Sequence, residues 1–295
     1  MNSREQGFLL LTSHLGDPHR KVLTVAQLRT LASRVRAMEC PQPDRDVTAA
    51  LLTELGYDPE FARRIEALLA DGQQLDWYLR KGARQDCYPI SRAGSSYPGR
   101  LRRLLGEDAP GCLWAKGDMS LLERPAIALV GSRDMEPENL AFAKEAGRQA
   151  ALQGYVLVSG NARGADREAQ TACLDMGGCV ISVVADRLEA HPLQRNVLYL
   201  SEDSFDMAFS AQRALSRNRV IHCMGDTVLV AQCGFRRGGT WDGTAQNLRW
   251  GWCPVCCYDD GSQAVDALTQ MGAVRIRPEA LTALDRLNIN TERLF

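Results

Sequence analysis

Apolar positions are spaced in two different ways along the chain, and the change falls near residue 125. Upstream, over residues 1–86, they recur at helical spacing, and Val, Ile and aromatic residues are sparse. In "LTVAQLRTLASRVRAM", Val25, Leu28, Leu31 and Val35 fall on one stripe behind Thr24, a side chain suited to capping a helix start. A break at Cys40–Asp46 precedes three further short helical segments, "VTAALLTELG", "DPEFARRIEALLADG" and "QQLDWYLRKGARQ". Helix, Gly-containing turn and helix outline a helix-hairpin-helix, which serves either as a non-specific grip on a DNA backbone or simply as a packing unit.

From Pro125 onward continuous apolar runs alternate with amphipathic stretches. The runs "AIALVGS", "YVLVSG", "CVISVVA", "DTVLVAQ", "CPVCCY" and "AVRI" alternate with helices expected at 138–153, 165–176, 210–224, 241–250 and 262–271, with a loop before the third. Buried strands that alternate with helices predict an α/β fold on a doubly wound, mostly parallel sheet, preceded by a small all-α domain. The expected boundaries are 1–87 for the helical domain, 88–124 for a linker or lead-in, 125–277 for the sheet domain and 278–295 for a short helix or tail. In such sheets ligands sit beyond the strand C-terminal ends, where the strand order reverses.

Composition narrows the class of function. Hydrophobic residues make up 45% and charged residues 24%, which excludes a disordered scaffold. With a net charge of −1 there is no global basic field, so any anion site must be local. Only four of the 35 basic residues are lysines (Lys21, Lys81, Lys116, Lys144), and arginine is the side chain whose planar fork suits phosphate. The ten cysteines are scattered, several within apolar runs, and read as reduced, buried thiols. No signal segment and no membrane span is visible, so a cytoplasmic protein without a membrane partner is expected.

Candidate chemistry lies at the strand ends. "ALVGSR" offers Gly131, Ser132 and Arg133, and "VLVSGNARGADREAQ" offers Ser159, Gly160, Arg163, Gly164 and Asp166. Small residues let backbone amides approach phosphate, and the helix that follows adds partial positive charge. A third element runs from Ser210 to Trp250 and holds six arginines against two acids, including Arg217 and Arg219 around Asn218. It continues into Gly238, Gly239 and Thr240, another set of amides at a helix start. Phe235, Trp241, Trp250 and Trp252 are candidates for base stacking, with helix-to-sheet packing as the alternative for each tryptophan. The stretch 88–124 adds Arg92, Arg100, Arg102 and Arg103, which read as a basic face.

In order and spacing, GSR at 131–133, SGxARGxD at 159–166, SED at 201–203, RNRxI at 217–221, D-x-VLV at 226–230 and "GGTWDGTAQN" resemble the DNA-processing protein A (DprA/Smf) family. "SYPGRLRRLLGEDAPGCLWAKGD" resembles that family's lead-in. The likeness covers residues 88–260 and implies an extended Rossmann-like domain of the wider SLOG group. It further implies binding of single-stranded DNA in a basic pocket, a homodimer, and a RecA-type recombinase as partner, with a role in natural transformation or phage defence. By motif, Ser132, Arg133, Ser159, Gly160, Arg163, Gly164, Asp166, Arg217, Asn218 and Arg219 lie near the DNA backbone, with Asp166 and Asn218 as alternatives for ordering the loops. The chain departs from the family at Gln170, where His is usual, at Ala214-Leu215, and in its Gly-rich turn. The segment after "AVRI" is too short for the family's winged helix.

Two other readings are weighed against this one. LOG-type phosphoribohydrolases of the same fold group share an Arg-rich stretch and a Gly-rich turn, but Asn247 stands where their glutamate is expected, and an amide cannot accept a proton. A nucleotide-binding sensor is the milder form of that alternative. "CPVCC" with His222 and Cys223 has some of the makings of a zinc site, yet it reads better as a buried strand. No catalytic residue, cofactor or metal is therefore expected.

Overall fold

The computed structural model describes residues 1–37 and 47–287; the expected break at Cys40–Asp46, the Cys40 thiol and residues 288–295 of the expected tail lie outside the described residues. The chain divides into two compact units, Met1–Trp114 with Glu202–Met207, and Ala115–Ser201 with Ala208–Phe295.

The first unit opens with helices α1 (Ser3–Thr12), α2 (Val25–Arg36), α3 (Ala49–Glu54), α4 (Pro59–Leu69) and α5 (Gly72–Ala83). Their starts are set by local chemistry. Asn2 with Glu5, and Thr24 with Gln27, form reciprocal capping boxes. Leu28 and Leu31 of the predicted stripe enter a core with Leu11, Leu23, Leu52, Ile65 and Leu68, while Val35 packs at its margin. A second core joins Tyr78, Trp114 and Phe205, with the Tyr78 and Phe205 rings stacked at 4.5 Å. Asp206 fixes it by accepting from Tyr78 Oη at 2.5 Å and Lys81 Nζ at 2.6 Å.

Strand β1 (Tyr88–Ser91), helix α6 (Gly99–Leu105) and the first half of β2 (Cys112–Gly117) complete this unit. The expected basic face is partly spent here. Arg92 donates to the carbonyls of Glu107 and Ala109, and Arg102 donates to those of Arg92 and Gly94.

The second unit is built on a sheet in the order β6-β5-β4-β3-β7-β8-β9, with the 115–117 half of β2 beside β6. The strands are β3 (Ala126–Val130), β4 (Val156–Ser159), β5 (Cys179–Val184), β6 (Val197–Glu202), β7 (Val228–Val230), β8 (Val255–Tyr258) and β9 (Val274–Ile276). Every pairing from β6 to β9 is parallel. The central strands are buried along their length, which is why they read as unbroken apolar runs. Helices α7 (Pro137–Leu152), α8 (Ala165–Asp175), α11 (Gly238–Trp250) and α12 (Gln263–Gln270) follow β3, β4, β7 and β8. After β6 the chain returns to the other side of β3, so the order reverses between β3 and β7 and opens a crevice at their C-terminal ends.

Two expectations are corrected. The segment read as a loop before residue 210 contains β6, whose residues are all buried, Ser201 and Glu202 included. The helix expected at 210–224 is two, α9 (Ala211–Ser216) and α10 (Asn218–Met224), which meet at Arg217, whose guanidinium is drawn inward to the Val183 carbonyl at 2.8 Å. Beyond β9, Pro278–Leu287 forms 3-10 turns that bury Leu281, Leu284 and Leu287. Gln153 pins them, donating to Leu281 O and accepting from Leu284 N. No helix among the described residues is long and apolar enough to cross a membrane.

Candidate nucleic-acid interface

Two adjoining clefts lie at the C-terminal edge of the second unit's sheet. The larger, of about 930 Å³, is lined by the turn after β3 (Gly131–Asp134), by Ala162 and Asp166, by α9 and α10, by the turn after β7 (Gln232–Thr240) and by the start of α12. The smaller, of about 310 Å³, is lined by Arg133, by Gly160–Arg163, by Val184–Asp186, and by Phe209 and Arg217. Arg133, Ala162, Phe209 and Arg217 border both.

Helices α7, α8, α11 and α12 all begin at this edge, and for α8 and α11 no side chain caps the first amides. At α8 the Ala165 amide is taken by Ser132 O and that of Arg167 by Ala162 O, so the open N–H groups are those at the start of α11, where they and the helix dipole favour an anion. Gly238 and Gly239 keep the start of α11 open toward the larger cleft. Gly160 is required for a different reason: a Cβ there would fall 1.5 Å from Nη1 of Arg217, so the guanidinium lies across the bare backbone of the β4 turn.

Of the residues that sequence assigns to the site, Gly131, Ser132, Arg133, Asp166, Arg217, Asn218, Gly238, Gly239 and Thr240 line the larger cleft, and Gly160 and Arg163 line the smaller one. Ser159, Gly164 and Arg219 line neither. Ser159 is fully buried and accepts from Gln170 Nε2 at 2.5 Å, so the departure at Gln170 is matched by a hydrogen bond beneath the strand ends. Gly164 shapes the turn. Arg219 lies on α10 away from the cavities.

Several polar side chains in the larger cleft are used to hold the turns together. Ser132 Oγ donates to Gln232 O, Thr240 Oγ1 to Gly131 O at 2.9 Å, and Asn218 Nδ2 to Gly239 O at 2.9 Å. Asp166 is buried and accepts from the Gly160 and Ala162 amides. Burial raises its pKa, against the pull of Arg217 and those amides. Arg133 and Arg163 are exposed, and Arg163 pairs with the exposed Asp134 at 2.7 Å, an ion pair of little net strength. The fixed cation is Arg217 and the adaptable ones are Arg133, Arg163 and Arg237.

Sequence reasoning missed Asp186 and Phe209, because both lie in the stretch without a recognised motif. Of the proposed stacking aromatics only Phe235 lines a cleft; Trp241 is buried edge-on against it, and Trp250 is exposed at the opposite end of α11. The α3–α4 turn, the outlined hairpin, presents a carboxylate: Asp58 occupies the amides of Glu60 and Phe61.

Asn247, set against a hydrolase by sequence, is fully buried and lines neither cleft. Its Nδ2 donates to His222 Nδ1 at 3.2 Å, so the neutral ring carries its proton on Nε2. Burial lowers the His222 pKa to about 4. The unfolded ring titrates near 6.5, so this stability is complete above about pH 6.5 and is lost as pH falls toward 4, on the order of 3 kcal/mol in all. Urea melts of His222→Gln against the native chain should show a shallower acid loss over that interval; an unchanged slope would contradict a buried neutral ring. Cysteines among the described residues are thiols, buried except for Cys179, and burial pushes Cys233 and Cys256 up to about 12. No group of three metal-ligating side chains converges among the described residues.

A doubly wound, mostly parallel sheet whose strand order reverses beside a cleft lined by arginines defines a Rossmann-like α/β protein. The chain belongs to the DNA recombination-mediator protein A family, whose model matches residues 89–279. It is 32% identical over 152 residues to DNA processing protein DprA of Streptococcus pneumoniae, covering 48% of this chain and 53% of that protein. Protein Smf of Escherichia coli is 30% identical over 153 residues, 48% of this chain and 40% of that one. The chain thus matches about half the length of these relatives. Among solved structures, DprA of S. pneumoniae superposes with a TM-score of 0.70 at 23% identity, over 96% of this chain and 98% of that one. DprA of Helicobacter pylori, described with a single-stranded DNA binding mode, gives 0.56 at 21% identity, over 70% and 96%.

Proposed function

We propose that the paired clefts hold single-stranded DNA by its backbone, without chemistry on the strand. The observation that carries this reading is the position of Arg133 and Arg217 on the border of both cavities, on the sheet edge where α11 begins with uncapped amides. A strand running from one cleft into the other passes both guanidiniums, and each phosphate it places there releases counterions. Family membership and the single-stranded DNA binding mode described for the H. pylori relative support the same ligand. Asp166 is engaged by backbone amides and Asn247 is sequestered, which favours binding over hydrolysis. Delivery of the strand to a RecA-type recombinase and assembly as a homodimer rest on the family resemblance, and a cytoplasmic location completes the proposal.

The test is fluorescence anisotropy of a labelled single strand, with a duplex of equal length and free mononucleotides as competitors. Displacement by unlabelled single strand at a concentration at least about tenfold below that of duplex or mononucleotide is expected, because only a flexible strand reaches several phosphate subsites at once. Equal displacement by a mononucleotide would favour a nucleotide sensor instead.

A further inference from the structure

The smaller cleft combines charges that a pure phosphate site would not. Arg133, Arg163 and Arg217 line it, yet so does Asp186, from the turn that follows β5. The carboxylate is held in place: Oδ1 accepts from His191 Nε2 at 2.9 Å, and the His191 ring stacks on Tyr199 at 4.8 Å. Its side chain remains 54% exposed, so the other oxygen is open to a ligand. The His191 hydrogen bond, with Arg213 nearby, holds the Asp186 pKa below the ordinary carboxylate value, and the group is an acceptor at neutral pH. Phe209 is 55% exposed and forms part of the wall. A volume of about 310 Å³ suits one nucleoside unit and not a length of strand.

We propose that the smaller cleft is a base pocket in which Asp186 selects guanine; this rests on the strand-binding reading above. A nucleotide entering it is oriented by charge, its phosphate toward the arginines and its base edge toward Asp186. A carboxylate requires donors. Guanine presents two adjacent ones, N1–H and the 2-amino group, to a single acceptor. Thymine offers one N–H flanked by carbonyl oxygens that the carboxylate repels. In adenine and cytosine the amino group lies beside an acceptor nitrogen. The ring face packs on Phe209 whatever the base, so the stacking contribution is shared and the edge contact carries the discrimination.

The experiment is competition anisotropy, in which labelled oligothymidine is displaced by unlabelled oligothymidines carrying one central guanosine, inosine, adenosine or cytidine. The guanosine oligomer should compete at least about fivefold better than all-thymidine, at the low end for a bidentate base contact, and inosine, which lacks the 2-amino group, should fall between them. In Asp186→Asn and Asp186→Ala the ratio of guanosine to all-thymidine should fall to near one. Equal competition by all oligomers against the native chain overturns the proposal and leaves strand binding intact, as does a guanosine preference that survives both substitutions. Failure of the labelled oligothymidine to bind at all overturns strand binding and this proposal together.

Discussion

Gly164→Ala is expected to lower the thermal midpoint by roughly 6–12 °C, from a cost of about 3 kcal/mol. Gly164 caps the start of α8 with φ +85 and ψ −132, a region that essentially only glycine occupies. A Cβ there would lie 2.4 Å from the Ser132 carbonyl oxygen and 2.5 Å from that of Arg133, both backbone atoms that cannot swing aside. The residue therefore lies where the turns after β3 and β4 press together, and relaxation would displace the loop that presents Arg133. Gly177→Ala is the control, since it also has positive φ but nothing within 4 Å of the added carbon. It should cost only about 1 kcal/mol. Differential scanning calorimetry that found equal losses for the two would contradict the close approach.

Arg217→Ala should lose both stability and strand affinity. Its side chain donates to Val183 O, lies across Gly160 and faces the buried Asp166, whose pKa is already raised by burial and held back first by Arg217. Removing the cation leaves that carboxylate buried with only its amide donors. Loss of one partner of a buried charge pair costs about 3–5 kcal/mol, and the lower end is expected because Asp166 keeps the Gly160 and Ala162 amides. The Asp166 pKa should then rise further, so the variant gains stability as pH falls through the carboxyl's raised value toward its ordinary value of 3.8, because the folded state takes up the proton first. Strand affinity should drop at least about tenfold, equivalent to roughly 1.4 kcal/mol. Arg217→Lys, which keeps the charge but not the fork, should recover the stability in part. A variant with unchanged urea midpoint and unchanged affinity would remove Arg217 from both roles.

The parallel sheet was legible because strands buried on both faces must be apolar throughout, as "AIALV" and "VLVS" are. β6 was not, because "VLYLSE" buries Ser201 and Glu202 and so lacks that signature. Glycine-rich turns with arginine pointed to the edge where the two clefts lie. Spacing alone could not show which polar groups are used internally. Ser132, Asn218 and Thr240 look like phosphate donors in the sequence, yet their hydrogens go to carbonyls across the crevice. RNR likewise gives three residues with three different fates: Arg217 between the clefts, Asn218 pinning Gly239, and Arg219 outside both cavities. Asp186 and Phe209 carried no local pattern and became visible only when β5 and the segment after β6 were brought to one edge.

The most direct test of the central claim is the salt dependence of single-strand affinity for the native chain and for Arg133→Ala/Arg217→Ala, measured by anisotropy at several salt concentrations. Tight binding with a steep log–log slope is expected, and the double variant should lose affinity while its slope falls by about one to two units. A native chain that fails to bind single strands at low salt, or a variant with the native slope, would contradict a strand held at this edge by these arginines.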